Sequence, residues 1–244
     1  MGMTEVRSPV IRDDLATAKE RAWDRLSSAG TWWSGSERLA IAAEVRRATH
    51  CALCRNRKEA LSPYTIDGEH DSGGVLPDNV VEVIHRLSTD SGRLREAWFD
   101  EAMASGLTDA AYIEILGVVA TLIGLDTFDR ALGLPLRPLP TAGPGEPTRH
   151  RPKGARKTLA WVATLAPEDI AEEDPDPYPD FEPVNIHFAM SLVPAEVAGF
   201  FDLDQALYLP QAAIRDLDKE YRALTHSQLE LIAARMAALN QCFY

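Results

Sequence analysis

Residues 113–125, IEILGVVATLIGL, are apolar on nearly every side of a helix, and Glu114 is the one charge among them. A helix of this kind has no face suited to water, so it predicts a central element wrapped by other helices or lodged in a subunit interface. Thr108 is placed to cap it, Asp109 stands in its first turn, and Gly133 and Pro135 mark its end. Glu114 has two readings, a paired structural carboxylate or a group facing a pocket. With 244 residues and 45% hydrophobic content, the chain has enough apolar material to build the covering core.

The other periodic segments also read as helices. Asp13 or Asp14 caps one over 15–28, with Leu15, Ala18, Ala22 and Leu26 at helical spacing and Gly30 as its stop. Trp32 and Trp33 follow, either anchoring one helix on the next or walling an apolar pocket. Ser36 then caps a helix carrying Leu39, Ile41, Ala42, Ala43, Val45 and Ala48. Asp78 caps one with Val80, Val81, Val83, Ile84 and Leu87, and 94–104 continues after Gly92. Further helices are expected over 194–208, 211–221 and 227–241. Between them, 135–158 is basic and rich in Pro and Gly, and 167–183 is acidic with repeated prolines. Both read as extended connectors that wrap the surface or a neighbouring subunit and attract each other by charge. The expected organisation is a helical unit over 1–135, a connector over 136–183 and a C-terminal helical unit over 184–244 packed on the first.

Chemistry concentrates at Cys51 and Cys54, a Cys-x-x-C pair that follows the Ser36 helix. Residues three apart share a helix face, so the two thiols can meet and close a disulfide. A helix starting near Cys51 would favour thiolate through its unpaired N–H groups, and Arg46, Arg47, Arg55, Arg57 and Lys58 act in the same sense. Three readings stand: a redox dithiol, half of a metal site, or inert buried cysteines. A structural zinc needs four ligands, and His50, His70, His85 or Cys242 would have to complete it through folding. His70, between Glu69 and Asp71 on a loop, is either solvated or delivered to the thiols. His85, beside Ile84, is either a satisfied core histidine or a ligand.

A formal charge of -12 argues against nucleic acid as the partner. The start, MGMTEVRSPVIRDD, has no apolar leader, and Val6 stands where a myristoylation signal needs Ser or Thr. The apolar run 115–125 is short for a bilayer span. These features lead to the expectation of a soluble, cytoplasmic protein with no membrane partner and with reduced or cycling thiols.

The pattern reads as one unit used twice. Placing Cys242 over Cys51 aligns Ile232 with Ile41, Ala233 with Ala42, Ala234 with Ala43 and Ser227 with Ser36. Pseudo-twofold packing of the two copies would bring Cys242 or Glu230 to the Cys51–Cys54 pair.

A capped Ala-rich helix leading into Cys-x-x-C, then EILGVVATLIGLDTFDRALGLPLRP, resembles the alkylhydroperoxidase D-like (AhpD-like) and carboxymuconolactone decarboxylase family. The C-terminal LELIAARMAALNQCFY is similar to that family's ELIALAVSALNGC-type helix, with Glu230 twelve residues before Cys242. The likeness covers about residues 15–137 and 184–244. It implies an all-α fold, a homo-oligomer and a cofactor-free antioxidant peroxidase acting on a small-molecule hydroperoxide. Cys54 would be the peroxidatic thiol and Cys51 the resolving one, with a thiol or dithiol reductant restoring the pair. Two positions depart from the family pattern. Its histidine four residues after the second cysteine is Lys58, and its glutamate twelve before the first is Leu39. Substitutes for that proton relay are Glu44, His50, His70, His85 and Glu230. Two alternatives accompany this reading. One is a transition-metal centre built from Cys51, Cys54, His70 and Cys242, and the other is a decarboxylase-like enzyme without peroxidase activity.

Overall fold

A computed structural model describes residues 9–158, 160–179, 182–240 and 242; the start with Val6, and Gln241 at the end of the last expected helix, lie outside the described residues. The described chain forms α1 (Asp13–Ser27), α2 (Gly35–Ala48), α3 (Ala52–Glu59), α4 (Asp78–Asp90), α5 (Glu96–Ala104), α6 (Asp109–Ala131), α7 (Asn185–Phe188), α8 (Pro194–Leu207), α9 (Gln211–Ile214) and α10 (His226–Leu239). Among the described residues there is no strand, only one isolated antiparallel bridge between Arg156 and Thr164. The fold is all-α, as the periodicity predicts.

The apolar segment becomes α6, whose N-cap Thr108 accepts a hydrogen bond from the N–H of Ala111. It packs against α2, α4, α8 and α1 and buries Ile113, Ile115, Val118, Leu122 and Leu125, leaving Ile123 exposed. By length and composition α6 is long and apolar enough to cross a membrane, contrary to the shorter run expected from sequence. Its most apolar window is 67% buried inside the fold, as suits a core helix.

Glu114, on α6, is fully buried and paired. Its carboxylate accepts from Arg38 Nη1 at 2.5 Å and from the N–H of Trp32 at 2.5 Å, and Arg38 also donates to Glu196 of α8 at 2.7 Å. One buried guanidinium therefore ties α2, α6 and α8, and the structural reading of Glu114 holds. Gly30 lies so close that a Cβ there would fall 1.8 Å from Glu114 Oε1. Trp33 donates its indole N–H to the carbonyl of Ala111 at 3.0 Å, and both tryptophans pack on the core, which is the anchoring reading.

Five expectations change. Asp13 and Asp14 are the first residues of α1, and Arg12 is its cap. The cap of α2 is Ser34, not Ser36: its hydroxyl accepts from the N–H of Glu37, whose carboxylate accepts from the N–H of Ser34 at 2.8 Å, a reciprocal box that a glutamate three residues on makes possible. Asp78 is the first residue of α4, and Pro77 is its cap. The helix expected over 211–221 stops at Ile214. The segment 136–183 is more than a connector, since Val162, Ala163, Leu165 and Tyr178 are buried. Its halves are linked by the ion pairs Arg156–Asp169 and Lys153–Glu173 and by a hydrogen bond between His150 and Asp174.

The expected repeat is not matched in burial. Ile41 in α2 is fully buried, whereas Ile232, its counterpart in α10, is 53% exposed. Leu231, Met236 and Leu239 of α10 are exposed as well.

Candidate functional site

The helix of Ser34 ends at Ala48, the backbone turns, and Cys51 becomes the N-cap of α3. Cys54 thus lies in the first turn of α3. Its free N–H groups need partners, and one comes from the loop after α3: Asp71 accepts from the N–H of Ala52 at 2.8 Å. The same loop is tied to α2, because Gly73 donates its N–H to Glu44 at 2.6 Å. These two anchors lay residue 70 over the thiols. Helix α4, which packs on both α2 and α3, brings Glu82 and His85 from another direction.

The result is a closed cluster. Nδ1 of His70 lies 3.5 Å from both Cys51 Sγ and Cys54 Sγ, and Nδ1 of His85 lies 3.3 Å from Cys54 Sγ. The two rings are tilted, with centroids 4.3 Å apart. Each ring's other nitrogen meets a glutamate: His70 Nε2 is 2.7 Å from Glu82, and His85 Nε2 is 3.2 Å from Glu44. An ionised carboxylate only accepts, so Nε2 carries a proton on each ring and Nδ1 faces the sulfurs. Glu82 also accepts from Arg57 at 2.7 Å and from the indole N–H of Trp98 at 3.2 Å. Both cysteines are buried, packed with Leu53 and Ile66.

The electrostatics divide the two histidines. Burial lowers the basicity of His70, but hydrogen bonds to Cys54, Glu82 and Cys51 outweigh it and lift its pKa to about 10. His85 is held below its ordinary value, first by burial and then by the neighbouring charge of His70, against the pull of Glu44. Glu82 is lowered to about 2: burial pushes upward, but His70 and Arg57 prevail. Cys51 is lowered too. Burial opposes ionisation there, and the backbone N–H groups of Cys54 and Asp71, with His70, more than offset it. Near neutral pH this arrangement pairs a cationic His70 with a neutral His85.

A cavity of about 520 Å³ opens beside the cluster, lined by Gly68, Glu69, His70, Ser72, Asp78, Asn79, Val81 and Glu82. His70 is the cluster member that reaches it. Its rim carries three carboxylates, Glu69, Asp78 and Glu82, so it disfavours anionic ligands.

Of the residues singled out from sequence, Cys51, Cys54, Glu44, His70 and His85 come together. His50 does not: it is exposed at the α2–α3 junction, where the turn into α3 points it away, and its carbonyl accepts from Arg55. Cys242 also stands apart, because α10 ends against Lys58, Thr89 and Arg93, and Cys242 lines that cleft. The fourth cluster position belongs to His85 instead. Glu230 is engaged by Tyr208 and His226 on α10's exposed side. Glu82, Asp71 and Arg57 complete the site without having been expected in these roles; the signal available for the first was a Glu-x-x-His spacing, which puts Glu82 and His85 on one side of α4.

No family model matches the chain, and no curated protein or solved structure matches it.

Proposed function

We propose that the chain is an AhpD-like dithiol oxidoreductase that reduces hydroperoxides through Cys51 and Cys54. The observation that carries the reading is the line Cys54 Sγ–His85 Nδ1–His85 Nε2–Glu44, a thiol, base and orienting carboxylate within hydrogen-bond reach. It supplies from α2 and α4 what Leu39 and Lys58 cannot supply at the family's usual positions.

His85 takes the proton of Cys54, and the thiolate attacks the terminal peroxide oxygen, breaking the O–O bond. The alkoxide leaves as alcohol with the proton from His85, and Cys54 becomes a sulfenic acid. The Cys51 thiolate then attacks the Cys54 sulfur, and hydroxide departs as water with a proton from His70. The net change is two thiols and one hydroperoxide to one disulfide, one alcohol and one water. An external thiol or dithiol returns the two electrons. The substrate enters from the acidic cavity past His70, which favours a neutral hydroperoxide and disfavours the dicarboxylate of the decarboxylase branch. A cytoplasmic location and the homo-oligomeric assembly of the family belong to this proposal.

The test is a free-thiol count on reduced, metal-free protein before and after one equivalent of an organic hydroperoxide. Loss of two thiols in the native chain, abolished in Cys54→Ser, is the expected result. Unchanged thiols in the native chain would overturn the assignment.

A further inference from the structure

We infer that Cys51, Cys54, His70 and His85 form a tetrahedral site for one divalent metal ion, with zinc as the ion they suit. Their four ligand atoms all lie within 4.8 Å of one another. Metal–sulfur bonds of about 2.3 Å and metal–nitrogen bonds of about 2.0–2.1 Å put tetrahedral S···N edges near 3.5 Å. The three S···N contacts of the cluster are 3.3, 3.5 and 3.5 Å. Three of the four S···N edges of a zinc tetrahedron are thus already close to the expected length.

The surroundings agree with that use. Both rings turn the same nitrogen, Nδ1, to the centre and give Nε2 to a glutamate, the arrangement that orients a metal-bound imidazole and raises its donor strength. The N–H of Asp71 points at Cys51 Sγ from 3.4 Å, a contact a thiolate ligand accepts. Two thiolates and two neutral imidazoles cancel the charge of a divalent ion, so the loaded centre is neutral and can remain buried. Two sulfurs and two nitrogens in a tetrahedron favour zinc over the harder, oxygen-seeking ions.

This site uses the side chains of the redox reading without depending on its chemistry. The two states exclude each other, because a Cys51–Cys54 disulfide removes both thiolates. The metal-loaded form is therefore a resting state that a disulfide-forming oxidant empties.

The test uses the full chain, reduced and stripped of metal, titrated with cobalt(II) and then challenged with zinc. Saturation at one cobalt per chain, with thiolate charge-transfer absorption and the intense visible bands of tetrahedral cobalt, followed by displacement by zinc, is expected. Glu82→Gln, which keeps all four ligands, lowers the affinity by about 10–100-fold. Native protein oxidised to the disulfide takes up none. Absence of saturable binding, the weak bands of six-coordinate cobalt, or undiminished binding by the oxidised protein would overturn the site. Metal-free protein that loses two thiols to hydroperoxide yet takes up no cobalt sinks the metal site alone; one cobalt per chain with no thiol loss sinks the redox reading alone.

Discussion

Cys54 Sγ and His85 Nδ1 lie 3.3 Å apart although 31 residues separate them in the chain. One sits in the first turn of α3 and the other in the buried middle of α4. If this contact is the proton path, His85→Ala slows hydroperoxide-driven thiol loss in metal-free protein by about 10²–10⁴-fold. His50→Ala, on an exposed residue outside the cluster, leaves the rate unchanged. Stopped-flow thiol kinetics on both variants decides it, and equal rates for native and His85→Ala would remove the relay.

Asp71 caps α3 through the N–H of Ala52. Asp71→Ala is expected to lose about 1 kcal/mol of stability, the usual worth of an N-cap. The backbone N–H that faces Cys51 survives the change, so the two thiols remain in place. Urea unfolding measures the first point, and thiol counting on the folded variant checks the second.

Arg38 lies between Glu114 and Glu196, all three buried. Arg38→Met removes the cation and leaves two carboxylates facing each other, a loss expected to reach about 3–5 kcal/mol. Chemical denaturation tests it. A loss under about 1 kcal/mol would mean that Glu114 simply takes up a proton, a response toward which burial already pushes it.

Asp204 on α8 is raised to about 6 by burial, above its ordinary value of 3.8. Between those values the folded chain holds more protons than the unfolded one, so this group makes the protein more stable as the pH falls from 7 toward 4. Asp204→Asn removes the cost of the buried charge and is expected to stabilise by up to about 3 kcal/mol at pH 7. The advantage shrinks as the pH is lowered through 6 and is small near 4. Melting curves of both proteins at pH 7, 6 and 5 give the comparison, and a difference independent of pH would refute it.

Much of the fold was legible because helical periodicity is local. The apolar run around Glu114 required a covered helix, and Thr108 announced its start. The Ser34 cap was missed because Ser34 and Ser36 stand together, and only the reciprocal bonds with Glu37 separate them. The expected second copy of the Cys unit illustrates a limit of pattern matching: Ile41 and Ile232 align in sequence, yet only the first is buried.

By itself the sequence determined the all-α class and the spacing that lets two thiols meet; the break that makes Cys51 a helix cap came from the structure. Which acid and which histidines join them was decided by tertiary structure alone. The loop after α3 is drawn over the thiols by Asp71 and Gly73, and α4 packs on α2 and α3 so that His85 and Glu82 face inward. Packing direction has no local signature, so His50, adjacent in sequence, is exposed, while His85, far along the chain, touches the sulfur.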